Sequence, residues 1–330
     1  MRTIRRIIAV SVGLPGLICA FGQTEAAEVL FYSSVPRNLA EPLNKAFEAK
    51  YPSIKVNMFQ AGTETLLEKM QLEIQGKGKP EADVVWVQDL TAMQRFAEMG
   101  LLMPYEVAEA DKIAPAYRDK GDHFVGTFIT HAALMYNTNA LNDSTRPKSW
   151  VDLTHVRYKN KLTFANPRVS GTGAAVVSAA VQNFGWSYWE KIADLKPLIA
   201  AGHPAMVSSI IAGERTVGPM LDYSIVAAKE RKQPIGFVFP TEGAIAVAAY
   251  VGVTSGTKVP DDAKKFADFY ASKEAAEILQ VSGMYHARVD AQPPEGWPPI
   301  SQIKTLPIDW DTFRTTIDEI KRKFADLMER

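Results

Sequence analysis

Along the chain, apolar runs of strand length alternate with stretches whose apolar residues recur every three to four positions. Val29, Leu30, Phe31 and Tyr32 form a continuous apolar run that predicts a buried strand. An amphipathic segment follows over 37–50, with Leu39, Leu43, Ala46 and Phe47 on one helical face and Pro52 as its stop. Residues 54–59 (IKVNMF) alternate and predict a second strand. A helix is predicted over 65–75, with Gly76, Gly78 and Pro80 marking the turn after it. DVVWV at 83–87 reads as a buried strand, and 90–99 as a helix halted by Gly100.

The pattern changes after Pro104. The apolar stretch FVGTFITHAALMY at 124–136 is too long for a local strand of about 5–6 residues. It predicts a strand that crosses from one domain to another. Strand signals then recur at 161–165, 216–221 and 235–239, and the apolar 243–253 reads as a buried strand. Helices are predicted over 173–184, 188–200, 205–211, 225–232, 263–280 and 310–329, and a Pro-rich segment, QPPEGWPP, spans 292–299. Strands alternating with helices predict an α/β protein with open, largely parallel sheets, one built before residue 130 and another after it.

Composition narrows the class. At 330 residues the chain is long enough for two domains. The 47% hydrophobic and 22% charged fractions are those of a globular protein, which excludes bulk disorder. Lys+Arg and Asp+Glu are both 37, so the basic excess of a nucleic-acid binder is missing. Arg2, Arg5 and Arg6 precede an apolar stretch at 7–21 broken by Gly13, Pro15 and Gly16, and small residues follow at Ala26-Ala27. Residues 1–26 therefore read as a cleaved secretory signal peptide rather than a membrane span, which needs about 20 unbroken apolar residues. Arg5-Arg6 leaves general and twin-arginine export both open. The sole cysteine, Cys19, lies inside this segment, so the mature chain is expected to carry no disulfide and no thiolate site. Removing three Arg and one Glu leaves 34 basic against 36 acidic residues, a net charge of −2.

Catalytic signatures are missing: there is no GxSxG, Walker A loop, GxGxxG or HExxH. The histidines, at 123, 131, 155, 203 and 286, have no metal-ligand spacing. What recurs is a strand ending in small polar residues just before a helix: Ser33-Ser34, Gly62-Thr63, Gln88-Asp89, and Ser170-Gly171-Thr172-Gly173. In open α/β sheets, ligands bind beyond the carboxyl ends of strands, and helix N-termini offer unpaired N–H groups to anions. Gly171 and Gly173 can form a backbone nest while Ser170 and Thr172 donate to phosphate or phosphonate oxygens. For Ser33, Ser34 and Thr63 a plain capping role stands beside the ligand role. Asp222-Tyr223, also between strand and helix, suits a ligand hydroxyl or ammonium, or an N-cap. His203, with Pro204 after it, opens a further helix as an anion donor or a surface residue. The tryptophans read as packing residues, and the Lys321 to Lys323 stretch as a solvated helix face.

The segments LFYSSVPRNLAEPLNKAFEAKYPSIKV, GTETLLEKM, ADVVWVQD, ANPRVSGTG, AGERTVGPMLDYSIVAAKE, FVFPTEG and DDAKKFADFYASKEAAEILQ together carry a resemblance. They resemble periplasmic solute-binding proteins of ABC importers, in the ferric-iron-binding-like subgroup whose members take ferric iron, thiamine, sugar phosphates or phosphonates. The resemblance implies a two-lobed, type II-like periplasmic binding fold, each lobe an open, mostly parallel sheet flanked by helices. Lobe one would comprise 27–130 plus 244–290, and lobe two 131–243 plus 291–330, with 124–136 and 244–253 as crossing strands. It further implies a monomer in the periplasm that works with an inner-membrane ABC permease, without cofactor and without catalysis.

The departures from the iron binders bear on the ligand. Their Tyr-Tyr pair stands here as Asp222-Tyr223, and their first-loop His as Ser33-Ser34-Val35-Pro36. Their Ser-Gly pair in the crossing segment is matched by Phe128-Ile129-Thr130. Tyr32 and Tyr223 are the phenols left for a metal. The expected anion cradle is Ser33, Ser34, Thr63, Thr130, Ser170, Gly171, Thr172 and Gly173, joined by His203 and Tyr223. Asp89 and Asp222 would face a polar or cationic end. The expected ligand is a small organophosphate or organophosphonate, such as a sugar phosphate or 2-aminoethylphosphonate. Ferric iron or a ferric chelate is the alternative, and a secreted hydrolase of a phosphorylated compound the reading from another class.

Overall fold

A computed structural model describes residues 27–329; the segment read as a signal peptide, with Cys19, lies outside the described residues. In chain order the elements are β1 (Ala27–Ser33), α1 (Arg37–Lys50), β2 (Ile54–Gln60), α2 (Thr63–Lys77), β3 (Val84–Val87), α3 (Leu90–Glu98) and β4 (Val125–Asn137). Then come β5 (Thr163–Ala165), α4 (Gly171–Phe184), α5 (Trp186–Asp194), β6 (Leu198–Ala200), α6 (His203–Ile211), β7 (Val217–Leu221), α7 (Asp222–Glu230) and β8 (Ile235–Val238). The last are β9 (Ile245–Val253), α8 (Pro260–Ala271), α9 (Lys273–Val281), β10 (Tyr285–His286) and α10 (Trp310–Met328).

Two predicted helices are corrected. The helix expected over 188–200 ends at Asp194, because Lys196 takes a left-handed backbone (φ 52°) and Pro197 follows it. Residues 198–200 instead form β6, paired parallel with β5. The helix expected over 263–280 is two helices. Ser272 breaks it, donating to the Phe269 carbonyl at 2.6 Å and capping α9 by accepting from Ala275 N. Apolar spacing runs on through this break, so periodicity alone reads one helix.

The sheet order is β10-β4-β9-β3-β1-β2, with β7 and β8 also on β4. Parallel pairing holds for β1 with β2 and β3, and for β5 with β6. The expectation of largely parallel sheets is corrected here, because the long strands run antiparallel: β9 against β3 and β4, and β4 against β7, β8 and β10. The sheet is mixed.

β4 is buried along its whole length and serves two sets of neighbours. Its first part pairs with β9 and β10, and its second part with β7 and β8. The apolar cores divide in the same place. One core runs from Val29 to Ile129 and from Ala244 to Ile303, centred on Phe31, Trp86, Phe266 and Tyr270. A second starts at Ala132 and includes Trp150, Trp189, Phe313 and Phe324. A third, with Met135, Met206, Met220 and Ile225, is built on other residues of the same strands, β4 and β7. The structure is thus the two-lobed binding-protein architecture that the sequence implied, with β4 continuous through both parts.

The solvated face expected at Lys321 is also corrected. Lys321 shares the buried stripe of α10 with Ile317, Ile320 and Phe324, and its Nζ lies 2.5 Å from Glu64 Oε1. Lys323 stays exposed, with its ammonium 4.5 Å from the Trp186 ring centroid.

Candidate ligand-binding site

Strand ends followed by helix starts converge on one cleft of about 310 Å³. It takes Ser34, Pro36 and Arg37 from the turn between β1 and α1, and Gly62 and Thr63 from that between β2 and α2. Ser170, Gly171 and Thr172 come from the start of α4, Gly202 and His203 from the start of α6, and Tyr223 from the start of α7. First-turn N–H groups have no intrahelical partner and carry the positive end of the helix dipole. Of the residues expected at the site, Ser34, Thr63, Ser170, Gly171, Thr172, His203 and Tyr223 line this cleft together.

Its hydroxyls form a chain. Ser170 Oγ accepts from Gly173 N at 3.1 Å and lies 3.1 Å from Thr172 Oγ1, which is 2.7 Å from His203 Nε2. Ser170 therefore caps α4 and lines the cleft at once. Burial lowers the His203 pKa to about 4, so the ring is neutral at pH 7. Its Nδ1 is buried without a partner among the described residues.

The other expected residues lie outside the lining. Ser33 Oγ accepts from Val35 N at 3.0 Å, inside its own turn. Thr130 Oγ1 accepts from Gln88 Nε2 at 2.5 Å, so it reaches the cleft only through Gln88. Gly173 supplies the cap contact. Asp89 Oδ1 accepts from Thr91 N and Ala92 N and caps α3. Asp222 Oδ2 accepts from His131 N at 3.0 Å and sits 3.2 Å from His131 Nδ1, while Oδ1 accepts from Tyr223 N at 2.9 Å. Desolvation raises the pKa of both carboxyls.

The two phenols are not brought together. Tyr32 donates to Glu73 Oε1 at 2.7 Å, away from the cleft, and burial followed by the Glu73 contact pushes its pKa up to about 12. Tyr223 lines the cleft, with its pKa raised by desolvation. Among the described residues, no group of three or more His, Cys, Asp or Glu side chains is placed to hold a metal.

Sequence reasoning missed Arg37, Gln60, Gln88 and Gly202. Arg37 opens α1 three residues past the Ser33-Ser34 pair, and a rule confined to small polar residues passes over it. Gln88 was passed over for its neighbour Asp89. Gly202 was hidden because β6 was read as helix. Among the described residues the lining holds one permanent cation, Arg37, and no Asp or Glu.

The family described as bacterial extracellular solute-binding protein matches residues 79–316. A Salmonella typhimurium periplasmic protein with a provisional 2-aminoethylphosphonate-binding name is 25% identical over 255 residues, covering 74% of this chain and 73% of its own. The periplasmic binding protein AfuA from Actinobacillus pleuropneumoniae, solved with fructose-6-phosphate bound, superposes with a TM-score of 0.80 at 23% identity, over 92% of this chain and 99% of AfuA. Iron-bound HitA from Pseudomonas aeruginosa superposes with a TM-score of 0.79 at 20% identity, over 90% of this chain and 99% of HitA. With strand ends and helix starts gathered on one cleft and the family match covering most of its length, the chain belongs to the bacterial extracellular solute-binding proteins, the periplasmic ligand-binding components of ABC transporters.

Proposed function

We propose that this protein captures a small organophosphate or organophosphonate in the cleft and presents it to an inner-membrane ABC permease. The observation that carries the reading is the lining itself: hydroxyls, helix N-termini and Arg37, with no carboxylate on the wall among the described residues. Such a surface favours an anion over a cation. Ser34, Arg37, Thr63, Gln88, Ser170, Gly171, Thr172, His203 and Tyr223 would contact the ligand. Ser33, Thr130 and Gly173 would hold the donors in place from behind. In this reading Asp89 and Asp222 shape the walls rather than meet an ammonium group, which favours a phosphate ester over an aminophosphonate. We propose lobes of 27–130 plus 244–290 and 131–243 plus 291–330 that close by a hinge in β4 and β9. The protein would act as a periplasmic monomer after removal of 1–26, binding its ligand without transforming it.

Ferric iron is the second reading, and Tyr223 on the wall is what supports it. A hard trivalent cation needs several anionic oxygens, and Tyr32 is committed to Glu73. A thermal-shift screen with inorganic phosphate, 2-aminoethylphosphonate, hexose phosphates, thiamine and ferric citrate separates the readings. A ligand at about 1,000 times its Kd stabilises by about 4 kcal/mol, a shift of about 8–16 °C. A shift with phosphate or phosphonate esters alone is expected. A shift with ferric citrate alone, and purple protein, would overturn the anion reading. Release of inorganic phosphate from an ester on incubation would overturn the assignment as a pure binder.

A further inference from the structure

The two walls of the cleft touch at its rim. A Cβ on Gly171 would stand 2.5 Å from Asp89 Oδ2 and 2.9 Å from Thr63 Oγ1, and one on Gly62 would stand 2.6 Å from the Val169 carbonyl oxygen. Beside this contact, Lys321 of α10 reaches Glu64 of α2 across the two parts of the molecule, with side chains 10% and 20% exposed. Asp89 is buried, yet its Oδ2 has no hydrogen-bond partner among the described residues. Burial raises the Asp89 pKa, and both charges of the Lys321–Glu64 pair act on it as well, Glu64 raising it and Lys321 lowering it. None of Glu64, Asp89 and Lys321 lines the cleft.

An unpartnered buried carboxylate oxygen is unfavourable, and opening the rim would return it to water. Opening would also part Lys321 from Glu64. We propose that this rim cluster sets the balance between open and closed forms, Asp89 opposing closure and Lys321 with Glu64 holding it, so that it tunes affinity without touching the ligand. The inference rests on the hinge reading above.

The test uses the mature chain and three variants. Asp89→Asn keeps a good N-cap for α3 while removing the charge. Lys321→Met keeps the apolar stem on its buried stripe, and Lys321→Met with Glu64→Gln removes both charges of the pair. For whichever screened compound binds, Asp89→Asn should tighten Kd about tenfold and Lys321→Met should weaken it about tenfold or more. The double variant should recover part of that loss. Values within twofold of wild type for both single variants, or changes of the same sign, overturn the proposal. Small-angle scattering of the ligand-free variants gives a readout that does not depend on the compound. Lys321→Met should have a larger radius of gyration than Asp89→Asn. Equal radii overturn the rim proposal even if none of the compounds binds, so its failure is distinct from failure of the ligand assignment.

Discussion

Replacing Gly171 with Ala tests closure with one methyl group. The backbone there is not left-handed, so Ala fits α4, and helix propensity favours it by up to about 1 kcal/mol. The new Cβ would nevertheless lie 2.5 Å from Asp89 Oδ2, where an ordinary contact is about 3.4 Å, so the walls must separate by about 0.9 Å. Overpacking of this size typically costs about 1–3 kcal/mol. The cost falls on the closed form alone, so affinity should drop about 5- to 150-fold at 1.4 kcal/mol per tenfold. The ligand-free melting temperature should stay level or rise. Isothermal titration with a compound that stabilises the wild type, beside a melt without it, reads both quantities. Unchanged affinity would refute the argument that residue 171 closes against Asp89. A lowered ligand-free melting temperature would mean that the methyl disrupts local packing rather than closure.

Three further outcomes follow from the same geometry. Thr172→Val removes the hydroxyl between Ser170 and His203 and should weaken binding of a phosphate ester by about 1.5–3 kcal/mol, with unchanged affinity excluding Thr172 from the ligand. Arg37→Gln should weaken binding and flatten its dependence on salt, since Arg37 is the one permanent cation on the wall among the described residues; a salt dependence equal to wild type would remove Arg37 from the site. Burial holds His203 at a pKa of about 4 and His286 at about 3, against about 6.5 in the unfolded chain, so below pH 6.5 the unfolded state binds more protons and stability falls. Each histidine should remove about 3 kcal/mol by pH 4. Asp89 and Asp222, raised by burial, act with the opposite sign, so the test is the difference in urea stability between wild type and His203→Asn across that range. Parallel pH profiles for the two proteins would contradict a neutral buried His203.

What the sequence disclosed is what local chemistry controls. Small polar residues between a strand and a helix mark a candidate anion-facing strand end, and that rule picked out Ser34, Thr63, Ser170 and Thr172, which line the cleft, as does His203, picked out as a helix start. The long apolar 124–136 run betrayed β4 because no local strand needs that length. The failures share a different cause. Tyr32 and Asp222 looked available because nothing near them in sequence occupies them. Their partners are Glu73 and His131, 41 and 91 residues away. Lys321 looked solvated because a charge on a helix usually is, and only its pairing with Glu64 makes the buried stripe tolerable.

The same distinction separates the proposed ligand class from the proposed closing mechanism. The class depends on which groups face the cleft, and those sit at strand ends that the fold gathers by rule. Closure depends on which groups meet when the walls touch, and that juxtaposition joins segments far apart in the chain. Gly171 belongs to both lists: in the proposed reading its N-terminal position on α4 would offer the ligand a backbone donor, and its missing side chain lets Asp89 and Thr63 come close. A residue chosen for the first reason alone need not be glycine, because the helix start would present its N–H with any side chain. The crowding at Cβ supplies the reason for glycine, and under the proposed function it would tie the anion site to the movement that encloses it.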